Sequence, residues 1–129
     1  DIRPTHIDEG ANRDAVERRI ADLEIRFGLF RHLAAKQAAR GLPTDGASFY
    51  HNHVLRPLVD LLRCVHGPER HDYGLRYLRD DLPPDVYERV CGLCYPAGVD
   101  ELPRLVSEAT GLFQRTLDAH RRRTAGPGA

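Results

Sequence analysis

The sequence predicts an all-α fold, an antiparallel bundle of three or four main helices plus one short helix, and three observations predict it. Apolar residues recur in steps of three and four along long stretches. Glycine and proline gather in clusters that cut the chain into helix-sized pieces. No stretch alternates apolar and polar residues as a half-buried strand would. At 129 residues the chain is one domain's worth, with length enough for a real core. The bundle is expected to span residues 1–123, with 124–129 as a disordered tail.

The first helix rests on Val16, Ile20, Leu23, Phe27, Phe30, Ala34 and Ala38, which share one face. The opposite face is charged, with Asp14/Arg18, Arg18/Asp22 and Asp22/Arg26 at i,i+4, each pair contributing about 0.2–0.5 kcal/mol. Asn12 is the expected N-cap, and "RGLPTDG" (40–46) stops the helix. Thr44 or Asp45 opens a second helix with Tyr50, Val54, Leu58, Leu61, Leu62 and Val65 inward. Pro57 lacks an N–H and crowds the preceding turn, so a kink is expected over 52–56.

"HGP" (66–68) ends that helix. A short one is expected within 72–82, capped by Asp72, with Leu75, Tyr77 and Leu78 partly buried. "DLPPD" (81–85) starts a third amphipathic helix on Val86, Val90, Leu93 and Cys94. Residues 95–99 form a turn. Asp100 then caps a last long helix with Leu102, Leu105, Val106, Ala109, Leu112, Phe113 and Leu117 inward.

Acidic and basic residues balance at a formal net charge of +0, so no global field draws nucleic acid or an anionic membrane. The basic "HRRR" run before the tail is the local exception. Lys36 is the single lysine. No segment approaches the roughly 18–20 apolar residues of a membrane span, and no signal-peptide pattern opens the chain. Three cysteines without scaffold spacing point to a reducing compartment, the cytoplasm by default. The sequence has no methionine and begins at Asp1, which reads as a piece of a longer protein.

Several constellations have the residue types for chemistry. Cys91-x-x-Cys94 with Cys64-x-His66 offers four zinc ligand types, but Cys91 and Cys94 fall on an expected helix, where packing as small hydrophobes is the better reading. His51 and His53 stand about 200° apart on a helix and cannot chelate one ion unless the kink at Pro57 unwinds that turn. His53 or His51 lining a cleft opened by the kink stays open. The acidic pairs Asp8/Glu9 and Asp80/Asp81 suit capping and salt bridging better than magnesium. No metal site is expected in this chain. There is no Walker loop, no G-x-G-x-x-G and no nucleophile elbow.

The densest feature is "RCVHGPERHDYGLRY" (63–77). Arg56 and Arg63, seven apart, share a helix face, and His66, Arg70, His71 and Arg76 follow in a turn that folds back over them. Converging guanidinium groups suit a phosphate or a carboxylate. The competing reading pairs them with Asp60, Asp72, Asp80 and Asp81 and makes them a structural corner.

Residues 55–117 resemble the helical C-terminal half of bacterial nucleotidyltransferase-fold proteins, relatives of the kanamycin-type nucleotidyltransferases and of the minimal nucleotidyltransferase–HEPN pairs. The resemblance lies in "RPLVDLLR", "HGPERHDYGLRY", "DDLPPDVYERV" and "LFQRTL". It implies a substrate-binding and dimerising accessory domain, beside an N-terminal catalytic domain in cis or in trans. That domain would bind NTP and Mg²⁺ and pass a nucleoside monophosphate to a hydroxyl of a small-molecule acceptor. None of its Gly-Ser turn or strand carboxylates is in this chain, and the family's glutamate base matches no position here. Arg63, His66, Arg70 and Arg76 are the expected contacts to phosphate or acceptor, with Tyr73 and Tyr77 as an aromatic wall. Two other readings stand beside it. One is a stand-alone interaction or antitoxin-like subunit that dimerises through the first helix. The other is a HEPN-like RNase, since Arg115-x4-His120 matches that motif's spacing, with His120 as base and Arg115 on the phosphate. Arg26-x5-His32 matches its looser form equally well.

Overall fold

The structure, a computed structural model, describes residues 9–126, and they form an all-α bundle. In chain order the helices are α1 (Glu9–Phe30), α2 (Leu33–Ala39), α3 (Pro43–Tyr50), α4 (Arg56–His66), α5 (Leu78–Asp81), α6 (Pro84–Cys94) and α7 (Leu102–Ala125). A π-turn (His51–Leu55) joins α3 to α4, and single 3-10 turns cover Pro68–Arg70 and Val99–Glu101.

The first expected helix is two. Its stripe is continuous as far as Phe27, and α2 follows α1 after a short break at Arg31 and His32. Arg31 N–H still reaches the Phe27 carbonyl at 3.0 Å, so the interruption is shallow. Val16, Ile20, Leu23, Phe27 and Ala34 are buried as expected, whereas Phe30 turns outward. Asn12 lies inside α1 and does not cap it. Of the charged i,i+4 pairs, Asp22 and Arg26 close a salt bridge at 3.1 Å. α2 and α3 fold into a tight hairpin around Gly46, where an added Cβ would sit 3.1 Å from the Ala34 carbonyl oxygen.

The kink at Pro57 takes the form of the π-turn. Without a proline N–H the α-helical ladder cannot continue, and Arg56 N–H bonds instead to His51, five residues back. Beyond it α4 is the central helix, with every residue from Pro57 to Cys64 buried. Helices buried all round are ordinarily apolar. This one carries Asp60 and Arg63 inside, which organises the site described below.

α7 runs antiparallel to α1, since Phe113 stacks on Phe27 at 4.1 Å while His120 bonds Glu17. All seven of its expected inward residues are buried. The chain enters α7 through the 3-10 turn, not through an Asp100 cap; there Glu101 accepts the Ala97 N–H at 2.7 Å, which holds its carboxyl below the ordinary range. The helix continues through Ala125, into the segment expected as tail, and 127–129 lie outside the described residues. α6 packs through Val90 and Leu93 and is tied to α3 by Tyr50, whose hydroxyl donates to the Leu93 carbonyl at 2.6 Å.

No helix among the described residues is long and apolar enough to cross a membrane. The cysteines are unpaired; burial pushes the Cys64 thiol up to about 11 and raises Cys94 as well, as befits packing groups.

Candidate functional site

The 63–81 corner is built outward from one side chain. Arg63 leaves α4 with no exposed surface. Its Nε donates to the Gly74 carbonyl, one terminal nitrogen to the Arg76 carbonyl, and the other to Asp81 and, at 3.4 Å, to the Arg70 carbonyl. A buried cation is thereby surrounded by three main-chain dipoles and a carboxylate, the arrangement that makes its desolvation tolerable. The loop takes its shape from these bonds. Gly74 and Tyr77 adopt left-handed φ values of 63° and 60°, and the carbonyls of Gly74 and Arg76 turn inward. A non-glycine residue pays about 1–2 kcal/mol for that conformation, and Tyr77 is held there by the bonds around it.

This is why the short helix expected within 72–82 shrinks to α5, four residues long. Asp72 caps nothing, and Leu75 and Tyr77 are exposed at 52 % and 62 % instead of half-buried; Leu78 is buried as expected.

Asp81 is the other anchor. Its carboxylate is 7 % exposed and receives Arg63 on one oxygen and Arg70 on the other. The hydrogen bond from Arg70, with Arg63 adding to it, keeps the Asp81 carboxyl below its ordinary range, and the same bond raises Arg70. With both oxygens taken, Asp81 has none left for magnesium, so the Asp80/Asp81 pair does not fit that ion. Among the described residues no group of three or more His, Cys, Asp or Glu side chains is placed to hold a metal.

Tyr73 sits at the centre. The guanidinium carbons of Arg63, Arg70 and Arg76 lie 5.8, 5.7 and 5.2 Å from its ring centroid, and the Tyr77 ring lies 6.2 Å away. Of the six expected contact residues, then, five converge. Arg63 is the internal strut and has no surface with which to meet a ligand. Arg70 is partly open, while Arg76 and Tyr77 are exposed; Arg76 makes no ion pair among the described residues.

His66 stands apart. Its charged neighbours are Arg123 and Asp85, and burial, with the Arg123 charge added, lowers its pKa, so it is a neutral imidazole at pH 7 and not part of a cationic set. His71 buries its Nδ1 without a partner.

A second cluster on the same helix holds the Arg56–Asp60 pair of the competing reading and adds Arg19, which the sequence reading did not single out. Asp60, 8 % exposed, takes Arg56 on one oxygen at 3.1 Å and Arg19 of α1 on the other at 3.1 Å. Arg56 then rests against Gly74, where an added Cβ would come within 3.0 Å of its guanidinium carbon. The two clusters thus meet at Gly74, whose carbonyl serves Arg63 while its open face receives Arg56. A buried Asp/Arg pair at i,i+3 in an otherwise apolar helix was the available signal.

The other expected residues are not brought together. His120 bonds Glu17 at 2.7 Å across to α1. Arg115 instead lines an open groove of about 620 Å³ between α6 and α7, with Arg89, Gly92, Ser107, Glu108 and Gly111. That groove lies away from the 63–81 corner. Arg26 pairs with Asp22, and the His32 ring receives the neighbouring Arg31. His51 and His53 face different cavities, as their angular separation required. Asp8 lies outside the described residues.

No family model, curated protein or solved structure matches the chain.

Proposed function

We propose that this chain is the helical accessory domain of a nucleotidyltransferase-type protein and that its 70–77 loop meets the phosphate-bearing part of the ligand. One observation carries the reading: Arg63 and Asp81 hold the loop from inside, and the groups left displayed are Arg70, Arg76 and Tyr77 around Tyr73. Guanidinium donors beside aromatic rings on a fixed base suit a phosphate carried on a flat ring system. The sequence resemblance over 55–117 supplies the rest. In that setting the catalytic domain would carry NTP·Mg²⁺ and this domain would cover the cleft, shape the acceptor site and contribute to a homodimer. This chain alone would not catalyse, and the whole protein would act in the cytoplasm.

Calorimetric titration of the full-length protein with a non-hydrolysable NTP and Mg²⁺ tests this. Arg76→Ala is expected to weaken binding by about tenfold, the loss of one charge-assisted contact, with melting temperature unchanged. Unchanged affinity in Arg76→Ala and in Tyr77→Ala would remove the loop from the ligand.

A second reading, the interaction subunit, is favoured by Ile25 and Leu29, 63 % and 68 % exposed one turn apart on α1. Light scattering on the wild type and on Leu29→Glu decides whether that face pairs copies. For the HEPN-like reading the separation of Arg115 from His120 offers no shared face to a base and a phosphate clamp; RNA cleavage lost in His120→Ala would revive it.

A further inference from the structure

We propose that the cavity between α1, the π-turn and the start of α4 binds a small anion carried on an aromatic ring, such as an aryl phosphate or aryl carboxylate. The cavity has a volume of about 250 Å³ and is lined by Leu23, Arg26, Phe30, Asn52, His53 and Arg56, with Pro57 and Asp60 at its base. Arg63 is not among its lining residues, and the inference does not depend on the nucleotidyltransferase reading.

The polar groups of this cavity are donors with capacity to spare. Arg26 meets Asp22 through Nε, and its terminal nitrogens form no ion pair among the described residues. Arg56 likewise spends Nε on Asp60, and its terminal nitrogens, which lie against Gly74, form no ion pair among the described residues. His53 makes no hydrogen bond among the described residues, yet its ring is fixed by Phe30 at 5.1 Å and Phe49 at 5.5 Å. The one carboxylate in the wall, Asp60, has both oxygens occupied by arginines. An incoming anion therefore meets two guanidinium groups and an imidazole, and the carboxylate's charge is already answered.

The apolar half of the cavity selects the rest of the ligand. Phe30 belongs by sequence to the inward stripe of α1, but it is 36 % exposed and faces this space with Leu23. A ring edge or face there suits an aromatic group. At roughly 30 Å³ per water the space equals about eight waters, which limits the ligand to about ten non-hydrogen atoms.

The π-turn is what makes the site. In an uninterrupted helix His53 would follow the ladder; the extra residue accommodated before Pro57 re-aims Asn52 and His53 at α1.

The test uses the whole chain and three probes, phenyl phosphate, inorganic phosphate and benzyl alcohol, followed by two-dimensional NMR. Phenyl phosphate is expected to shift the resonances of Arg26, Phe30, Asn52 and His53 at millimolar concentration, with inorganic phosphate weaker and benzyl alcohol silent. His53→Phe keeps a ring between Phe30 and Phe49 while removing the donor, and should weaken phenyl phosphate by about tenfold without loss of fold. Arg26→Gln, on an exposed side chain, should act the same way. Shifts spread over the surface arginines, equal binding of inorganic phosphate, or unchanged affinity in both variants would overturn the proposal.

Discussion

Two buried carboxylates, Asp60 on α4 and Asp81 at the end of α5, are each held by two arginines, and they do different work. Asp60 joins Arg19 and Arg56, side chains that remain 35 % and 53 % exposed. Asp81 joins Arg70, 40 % exposed, and Arg63, which has no exposure at all. The Asp60 cluster ties α1 to α4, two helices whose apolar stripes would pack in any case. The Asp81 cluster shapes a loop with little apolar surface of its own, through three carbonyls bound to one guanidinium. An ion pair whose cations reach water trims a structure, whereas one whose cation cannot reach water specifies it.

The sharpest way to break that comparison is Asp81→Asn. It leaves Arg63 buried without a counter-charge, a situation that costs about 3–5 kcal/mol. Calorimetry should show a fall in melting temperature on the order of 10–20 °C, together with faster hydrogen exchange over 70–78. Arg63→Met, which removes the charge along with its need for a partner, should be milder in stability yet still release the loop. A smaller loss for Asp81→Asn than for Asp60→Asn would reverse the assignment of strut and trim.

Gly74→Ala comes next. It asks for a side chain at φ +63° and sets a Cβ 3.0 Å from the Arg56 guanidinium carbon. The backbone cost is about 1–2 kcal/mol, and the Arg56 side chain is flexible enough to swing away, which would loosen its hold on Asp60. Asp60→Asn itself should cost about 1 kcal/mol, because Arg19 and Arg56 can turn to solvent. Measuring both single variants and the double reads how far the clusters are coupled through Gly74; additive losses would mean that their meeting there carries no energy.

The fold was legible where burial follows a helical period. The α7 stripe was complete, and so was that of α1 up to Phe27. The kink before Pro57 was legible from the missing N–H, though not its form as a π-turn. Reading failed where side chains bond to carbonyls, because such bonds leave no periodic mark. Residues 72–77 carry a helix-like pattern, yet Arg63 draws the Gly74 and Arg76 carbonyls inward and unwinds it. The competing reading of a structural corner did pair these arginines with Asp60 and Asp81, yet the carbonyl bonds that bury Arg63 went unread. Arginine in sequence reads as surface, so convergence of the corner was anticipated while its inside and outside were exchanged. Phe30 failed for a further reason, since a position on the stripe says which way a side chain points but not whether anything fills the space opposite.

Acid titration gives the most selective effect. The Asp81 carboxyl is held below its ordinary range by Arg70 first and Arg63 second, so the unfolded chain takes up a proton there at higher pH than the folded one. Between the two values the unfolded state binds more protons and stability rises with pH. The contribution of Asp81 is therefore fully present above about pH 3.9, the usual aspartate value, and is lost as pH falls through the lower, folded value. Wild type and Asp81→Asn should differ most at neutral pH and converge in acid, as the protonated carboxyl comes to resemble the amide. Parallel curves down to the acid limit would mean that the variant's loss comes from packing and not from the ion pair, and the contrast between the two clusters would then need another cause.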